Sequence, residues 1–523
     1  AGGESRLFRR SLLILAFLSA SPPARLPAQN QAPGKATYDK WCAGCHGETG
    51  AGDGEAAAYM LPRPRDFTKG TYQIRSTASG SLPTDADLRH VIDEGMPGTA
   101  MPGWKAKLSE RERNDLVAYL KTFSRFFETT QPEEISLGKG AGTSDATIAD
   151  GREAWRKLEC FKCHGEGGRG DGTSAPTLTD DLDFPIRAAD LTEPWTFNGG
   201  NTVEQIYARL RTGLDGTPMP SFSDAIESNV ITDEQLWHVA QYVRSLSPEK
   251  PPVVREVIRA HRADSLPSAP SDSAWNEVEA FYIPLVGQII KAPRWFTNSI
   301  DGIWVRAMHD GQQLAIRVSW SDPSKSPDPG WQEWVDRMSA TVFRDDSTAL
   351  ANGSDWLALQ FPEKLPDDAE RPYFLGGSAR RPVYLWRWSS EPDRVQEGSQ
   401  KGLGQFSPGS TSQVIHAARF HQGEWQVQFN RSLVPSDTGS APAFRTGTAI
   451  PIAFYAADGS NGEDVLRGAV SAWYAIYLDV PTPGRVYVQP IVAVLLTAGL
   501  GLFVIIRAQR RERRAVNFQA EEP

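Results

Sequence analysis

Cysteine is scarce in this 523-residue chain: there are four, all within two short motifs, which leaves no disulfide framework to hold a small fold together. Basic excess is lacking too. Lys and Arg total 55 against 64 Asp and Glu, a net charge of −9 with a pI near 5.6. The arginines form no groove-like stripe, so the chain has no electrostatic footprint for nucleic acid and none is expected as a partner. Long apolar runs are few, one near each end. What remains is ordinary for folded protein, 40% hydrophobic and 23% charged, and its length is too great for one core. About three domains are expected, and sixteen tryptophans point to aromatic-rich β structure in one of them.

The two apolar runs differ in kind. Arg6, Arg9 and Arg10 precede Leu12 to Leu18, followed by small residues and prolines, so residues 1–28 read as a secretory signal. Cleavage after Ala28 leaves Gln29 first; cleavage after Ala20 is the alternative. Ile491 to Ile506 is uncharged, and with Val486 to Pro490 it reaches the ~20 residues of a membrane-spanning helix. A buried core helix is the competing reading. Arg507, Arg510, Arg511, Arg513 and Arg514 follow directly, and by the positive-inside rule residues 507–523 form a cytoplasmic tail. The expected location is the periplasmic side of a bacterial inner membrane, single-pass through 486–506.

Between these runs the first half repeats itself. Each copy has a glycine with an aromatic four residues on (Gly34 and Tyr38; Gly151 and Trp155), then a Cys-x-x-Cys-His-Gly motif at Cys42, Cys45 and His46 or at Cys160, Cys163 and His164. Further on, Gly95 to Pro102 aligns with Gly213 to Pro220, so that Met101 pairs with Met219 and Met96 with Leu214. The step from His46 to Met101 equals the step from His164 to Met219, 55 residues in each. Each copy closes on an amphipathic stretch, Ser109 to Phe123 and Thr232 to Leu246.

This pattern suits covalent haem. Two thiols three positions apart reach the two vinyl groups along one porphyrin edge, the next histidine lies under the iron, and a distant soft sulfur fills the opposite axial position. A thioredoxin-like pair or half a zinc site also uses Cys-x-x-Cys, but neither requires the histidine or the matched methionine. The expected cofactor-binding residues are therefore Cys42, Cys45, His46 and Met101 for one haem c and Cys160, Cys163, His164 and Met219 for the other. The iron ligands are His46, Met101, His164 and Met219. Of the other histidines, His90 reads as a surface residue and His238 as a helix-face residue. Arg63, Arg65 and Lys69 read as exposed loop charges or as partners of the haem propionates. On these motifs both copies resemble class I cytochrome c domains, over about residues 36–126 and 150–246. That resemblance implies a first and a last helix that cross, and a partly exposed haem edge. Histidine and methionine ligation leaves no vacant position, so outer-sphere one-electron transfer is expected and no catalytic residue is assigned.

Polar, proline-containing linkers are expected at 128–147 and 248–274, bounding cytochrome domains at 34–127 and 148–247 and a third domain at 275–482. Ile303 to Ala307 and Leu314 to Trp320 flank an Asp310-Gly311 turn, a hairpin signature. Further strands are expected at Trp356 to Phe361, Val383 to Trp388, Val414 to Phe420, Trp425 to Asn430, Pro451 to Tyr455 and Ala472 to Leu478, a density that suggests an all-β sandwich. Val318 to Asp322, Phe374-Leu375-Gly376, Pro382 to Trp388 and Ser471 to Tyr474 resemble the haem b domain of ethylbenzene dehydrogenase gamma subunits and their kin in molybdenum enzymes of the dimethyl sulfoxide reductase family. The resemblance implies one haem b between a methionine and a lysine, but Leu375 stands in the methionine's place and Arg467-Gly468 in the lysine's. Leucine cannot bind iron and arginine stays protonated. Met308, Met338, His309, His416 and His421 are the substitutes on offer, each placed in a hairpin or polar segment. The alternatives are a docking domain without the cofactor and a sugar-binding sandwich.

The fold class expected is thus multidomain: two all-α cytochrome c domains, one all-β sandwich and one C-terminal transmembrane helix. The function expected is one-electron transfer by a membrane-anchored dihaem cytochrome, not an enzyme itself, serving a complex whose molybdopterin and iron–sulfur subunits are the implied redox partners. A dihaem peroxidase and a ligand-binding sandwich with a haem relay are the alternatives.

Overall fold

The computed structural model describes residues 32–248, 250–343, 350–365, 370–410, 412–436, 441–481 and 484–519; the signal expected at 1–28 lies outside them. The N-terminal half is helical, the C-terminal half is a large β-sheet structure, and a long helix ends the chain.

The first helical unit has its main helices at Lys35–Trp41, Asp85–Glu94 and Glu110–Lys121, and the second at Asp145–Lys157, Val203–Thr212 and Asp233–Ser245. Their starts are written locally. Thr84, Ser109, Thr202 and Thr232 each accept a hydrogen bond from the backbone three residues on. The side chain at that position, Asp87, Glu112, Gln205 or Gln235, accepts one in turn from the cap's backbone amide. In both units the first helix crosses the last at a glycine. A Cβ on Gly34 would lie 2.2 Å from the Asp115 carbonyl oxygen, and one on Gly151 would lie 2.0 Å from that of His238. Only a residue without a Cβ lets the backbones come this close. The aromatic four residues later then fills the crossing. Tyr38 packs 5.0 Å from Phe123 and 5.4 Å from Tyr119, and Trp155 packs 5.7 Å from Tyr242, with both aromatics almost wholly buried.

The expected linkers need correction. The second unit's first helix begins at Asp145, capped by Ser144, inside the segment assigned to 128–147. The rest of that segment is docked: Glu134 bridges to Thr77, and Gly140 lies under the Trp237 ring. The 248–274 segment contains a central strand, Val257–Arg262, so the β domain starts about eighteen residues before 275. Only Ile258 and Ala260 of that strand are fully buried, and its charged alternate positions disguise it.

Among the described residues fourteen strands pair in the β domain, eleven of them along one continuous path with β2, β3 and β13 branching from it. In chain order they are β1 Val257–Arg262, β2 Phe281–Pro284, β3 Val286–Gly287, β4 Gly302–His309, β5 Gln313–Ser321, β6 Trp356–Pro362, β7 Val383–Ser390, β8 Asp393–Gln400, β9 Phe406–Pro408, β10 Ile415–His421, β11 Glu424–Ser432, β12 Ala449–Ala457, β13 Ala469–Val470 and β14 Tyr474–Leu478. The order is β10-β11-β5-β4-β1-β14-β12-β6-β7-β8-β9. β12 hinges it, because Ala449 to Ile452 pair with β14 while Ala453 to Ala457 pair with β6. The two wings fold face to face: Trp388 of β7 lies 4.9 Å from Trp425 of β11 and 6.1 Å from Trp320 of β5. This is the expected sandwich, with β1 paired in parallel to both β4 and β14 as its unforeseen member. Helix Gln332–Thr341 was also unforeseen; it places Met338 in a fully buried cluster with Trp295, Trp331 and Trp334 rather than in a polar segment.

The last helix, Arg485–Gln519, contains a 29-residue stretch, Val486–Arg514, long and apolar enough to cross a membrane, with none of it buried against the rest of the chain.

Candidate functional site

The two Cys-x-x-Cys-His motifs sit on matching one-turn helices, Ala43–His46 and Phe161–His164. The loops after them repeat bond for bond. Gly52 and Gly170 donate to the carbonyls of His46 and His164, each at 2.9 Å, and Gly54 and Gly172 donate to Cys45 and Cys163 at 3.1 and 3.2 Å. Phe67 and Leu191 then donate to Gly50 and Gly168, at 2.7 and 2.6 Å. That return puts a carbonyl two residues earlier against each imidazole: His46 Nδ1 lies 3.1 Å from Arg65 O, and His164 Nδ1 lies 3.0 Å from Ala189 O. An Nδ1–H donating to a backbone carbonyl fixes the ring and leaves Nε2 as the free lone pair, the arrangement a metal-binding histidine needs. Burial pushes both imidazoles below their usual pKa, which keeps them neutral for such a role. Phe67 stacks on the His46 ring at 4.5 Å.

No disulfide joins any of the four cysteines. Burial pushes Cys42 and Cys160 up to about 12. A redox-active Cys-x-x-Cys pair lowers a thiol's pKa to expose a thiolate, so the thioredoxin-like reading has no support in this geometry.

The methionine loops also match. Met96 and Leu214 donate to the carbonyls of Met101 and Met219, each at 3.0 Å. Thr99 and Thr217 hydroxyls donate to Met96 O and Leu214 O at 2.7 Å and accept the Met101 and Met219 amides at 3.2 Å. In the second unit Met219 and Cys160 pack against the same apolar cluster as Trp155, Leu210 and Trp237. In the first, Trp104, three residues after Met101, lies 5.4 Å from Trp41, the residue before Cys42. Cys160 and Met219 thus share one apolar cluster in the second unit and Cys42 packs on that of the first, and the types of side chain present, two thiols, an imidazole and a thioether per unit, fit a thioether-linked haem.

Of the remaining expectations, His90 is exposed, and His238 is a buried helix residue bonded to Asp150 at 2.6 Å. Arg63 packs over the Phe184 ring and Arg65 lies 3.7 Å from Asp181, so both face the second unit. The anchoring carbonyls of Arg65 and Ala189 escaped sequence reasoning, because a backbone carbonyl carries no side-chain signature.

Around Leu375 and Gly468, where the resemblance would seat a haem b, the described residues do not fit one. Leu375 and Gly376 line a cavity of only about 70 Å³, against the ~300 Å³ and upward that a ligand pocket takes. Gly468 is backed by Ala456, and Arg467 is tied to Asp464 at 3.1 Å. None of the offered substitutes reaches this cavity: His309 bonds Asp479 O, His416 bonds Asp393, and Met308 and Met338 belong to other clusters.

The helical units with these donors are similar to a cytochrome family. Residues 29–120 and 146–243 match the family model described as cytochrome C oxidase, cbb3-type, subunit III. Among named relatives, a Haloferax mediterranei protein provisionally named respiratory nitrate reductase heme subunit ORF7 is 26% identical over 251 residues, 47% of this chain and 82% of that one. The dimethylsulfide dehydrogenase subunit gamma of Rhodovulum sulfidophilum is 25% identical over 239 residues, 42% of this chain and 79% of its own. In a solved reducing HAO-like protein complex of Kuenenia stuttgartiensis, one chain is 44% identical with a TM-score of 0.40, covering 42% of this chain and 97% of that one. The chain is a haem-bearing electron-transfer protein or subunit, not the catalyst of a complex.

Proposed function

We propose that the chain is a dihaem c-type cytochrome, anchored by residues 486–506 on the periplasmic side of a bacterial inner membrane with its tail in the cytoplasm. It relays single electrons as a subunit of a molybdenum oxidoreductase of the dimethyl sulfoxide reductase family. The observation that carries this reading is the duplicated site: His46 with Met101 and His164 with Met219, on loops whose hydrogen bonds agree within about 0.1 Å. The names of two relatives, a nitrate reductase heme subunit and a dimethylsulfide dehydrogenase gamma subunit, support the kind of complex.

A haem in each unit supplies one-electron redox chemistry. The chain's residues do the rest. Cys42 and Cys45, or Cys160 and Cys163, hold the porphyrin edge. Arg65 O and Ala189 O orient the imidazoles, and the threonine-braced loops present the thioethers while the apolar clusters keep water away. If His46 with Met101 and His164 with Met219 held bound haems, small substrates would find no open site and partners would exchange electrons by surface contact. The β domain, without a cofactor, serves as the docking platform for molybdopterin and iron–sulfur subunits.

Met101→Ala and Met219→Ala test the assignment. Each should remove one haem's share of the sulfur-to-iron absorption band and lower that haem's potential, leaving the other as it was. If neither band nor potential moves, the ligand set is wrong.

A further inference from the structure

The two cytochrome units meet along a seam in which each methionine loop faces the other unit. A Cβ on Gly98 would lie 2.8 Å from Thr196 O, and one on Gly216 would lie 2.5 Å from Arg65 Nη1. Arg65 is the residue whose carbonyl anchors His46, and its guanidinium lies 3.7 Å from Asp181, whose amide donates to Gly216 O at 3.2 Å. One residue therefore holds the first unit's histidine with its backbone and touches the second unit's methionine loop with its side chain.

Beside it stands a buried ion pair. Arg75, fully buried, donates within its own unit to Tyr72 O at 2.6 Å and Ala78 O at 3.2 Å. Across the seam it reaches Thr212 O at 2.5 Å and Asp215 Oδ1 at 2.6 Å. Asp215 also accepts from Ser79 Oγ at 2.9 Å and the Gly80 amide at 2.7 Å, and Arg209 returns a bond to Arg75 O at 2.6 Å. Asp215 lies in the loop of Met219, next to Leu214, whose amide closes that loop on Met219 O. A guanidinium taken fully out of water is tolerated only when its donors are met and its charge is paired, so the contact is fixed rather than sliding.

The other side of the seam is different. Pro97 occupies the position equivalent to Asp215 and offers no acceptor side chain. With Gly98 and Thr99 it lines a cavity of about 320 Å³, shared with Ala189 and Glu193 of the second unit and Asp301 of the β domain. Residues 215–221 also border open space, a cavity of about 870 Å³, so what sets the two methionine loops apart is the Arg75–Asp215 pair and not their exposure to a cavity.

We propose that Asp215, held by Arg75, is a positioning residue that fixes the Met219 loop against the histidine-anchoring segment of the first unit. It thereby makes this seam the passage for electrons between the two haems and sets the second haem's sulfur ligation. The proposal rests on the dihaem reading above. One electron crosses per event, so that one centre is oxidised as the other is reduced; no bond breaks and no further reactant is required. Because tunnelling falls exponentially with separation, a loosened loop slows passage even where both haems remain attached.

The test uses the full-length detergent-solubilised chain carrying Asp215→Asn, Arg75→Lys or Ser79→Ala. Each variant is measured for haem content, the potentials of both haems, the sulfur-to-iron band, hydrogen exchange of the 213–220 amides and the rate of flash-triggered transfer between haems. Asp215→Asn should keep both haems, slow interhaem transfer at least tenfold, shift only the second haem's potential and deprotect the loop amides. Arg75→Lys, which keeps the charge, should recover part of each effect, while Asp85→Asn, which removes an exposed pair with Lys121, should change none. If Asp215→Asn fails to fold, Ser79→Ala, which removes one bond to Asp215 and leaves the ion pair, must move the rate and the second potential in the same direction. Wild-type rate, potentials and exchange in folded variants with two haems overturn the clamp. A haem content other than two overturns the dihaem reading instead.

Discussion

The two helical units share one architecture in different surroundings. Each crosses its first and last helices at a glycine, fills the crossing with an aromatic, anchors its histidine on a carbonyl and braces its methionine loop with a threonine. They differ where they touch something else. The segment between histidine and anchoring carbonyl is six residues longer in the second unit, from His164 to Ala189 against His46 to Arg65, and that insertion carries Asp181 to the seam. Asp215 likewise stands where the first unit has Pro97. What is shared surrounds the Cys-x-x-Cys-His motifs, and what diverges lies where the units meet.

The largest expected break strikes the shared part. Gly34→Ala and Gly151→Ala each place a methyl within about 2.2 Å of a backbone oxygen, and Gly34 adds a left-handed φ of 89°. Overpacking against backbone costs about 3 kcal/mol or more here, and each variant should unfold its own unit first in a thermal melt with haem absorbance as the probe. Equal stability of either variant with the wild type would break the comparison at its root.

A second effect belongs to the contact between Glu193 of the second unit and Asp301 of the β domain. Burial, and then the neighbouring Asp301 carboxylate, pushes Glu193 up to about 9, and Asp301 moves in the same direction. A folded pKa above the unfolded value means stability that is fully present below about 4.5 and is lost as pH rises through about 9. Asp322 and Asp355, raised by burial and by the nearby Asp458 charge, add the same sign. The melting temperature of the junction should therefore fall as pH rises through this window. Glu193→Gln should flatten the dependence, and an unchanged slope would rule out the pair as its source.

Smaller effects sharpen the contrast. Tyr38 donates a buried hydrogen bond of 2.7 Å to Gly47 O, whereas no hydrogen bond from Trp155 to Gly165 O is found. Tyr38→Phe should cost the first unit about 1 kcal/mol in denaturant unfolding and leave the second unchanged. Smallest of all, Leu375→Met combined with Gly468→Lys should recruit no haem b, since the cavity of about 70 Å³ cannot admit one; appearance of a b-type spectrum would show that the β domain can open.

Much of this was legible before the structure. Helix caps are local, so Ser109 and Thr232 marked the closing helices to within two residues. Equal spacing picked Met101 over Met96, and the loops bear out their equivalence to Met219 and Leu214. Three things were not legible, each for a physical reason. Val257–Arg262 alternates buried Ile258 and Ala260 with charged neighbours and reads as a linker until β4 and β14 flank it. Helix Gln332–Thr341 is short and lacks a side-chain cap bond. Arg75 and Asp215 are far apart in the chain and adjacent only once two domains dock, which no local pattern encodes. The resemblance to haem b domains pointed to the β architecture of the C-terminal half, where Leu375 and Gly376 line a cavity of about 70 Å³.

The duplicated site is tested most directly by a pyridine haemochrome spectrum of the purified full-length chain, taken before and after acidic extraction of non-covalent haem. The account predicts two c-type haems per chain, both retained through extraction, and no b-type haem. A single c haem, or any extractable b haem, would contradict it.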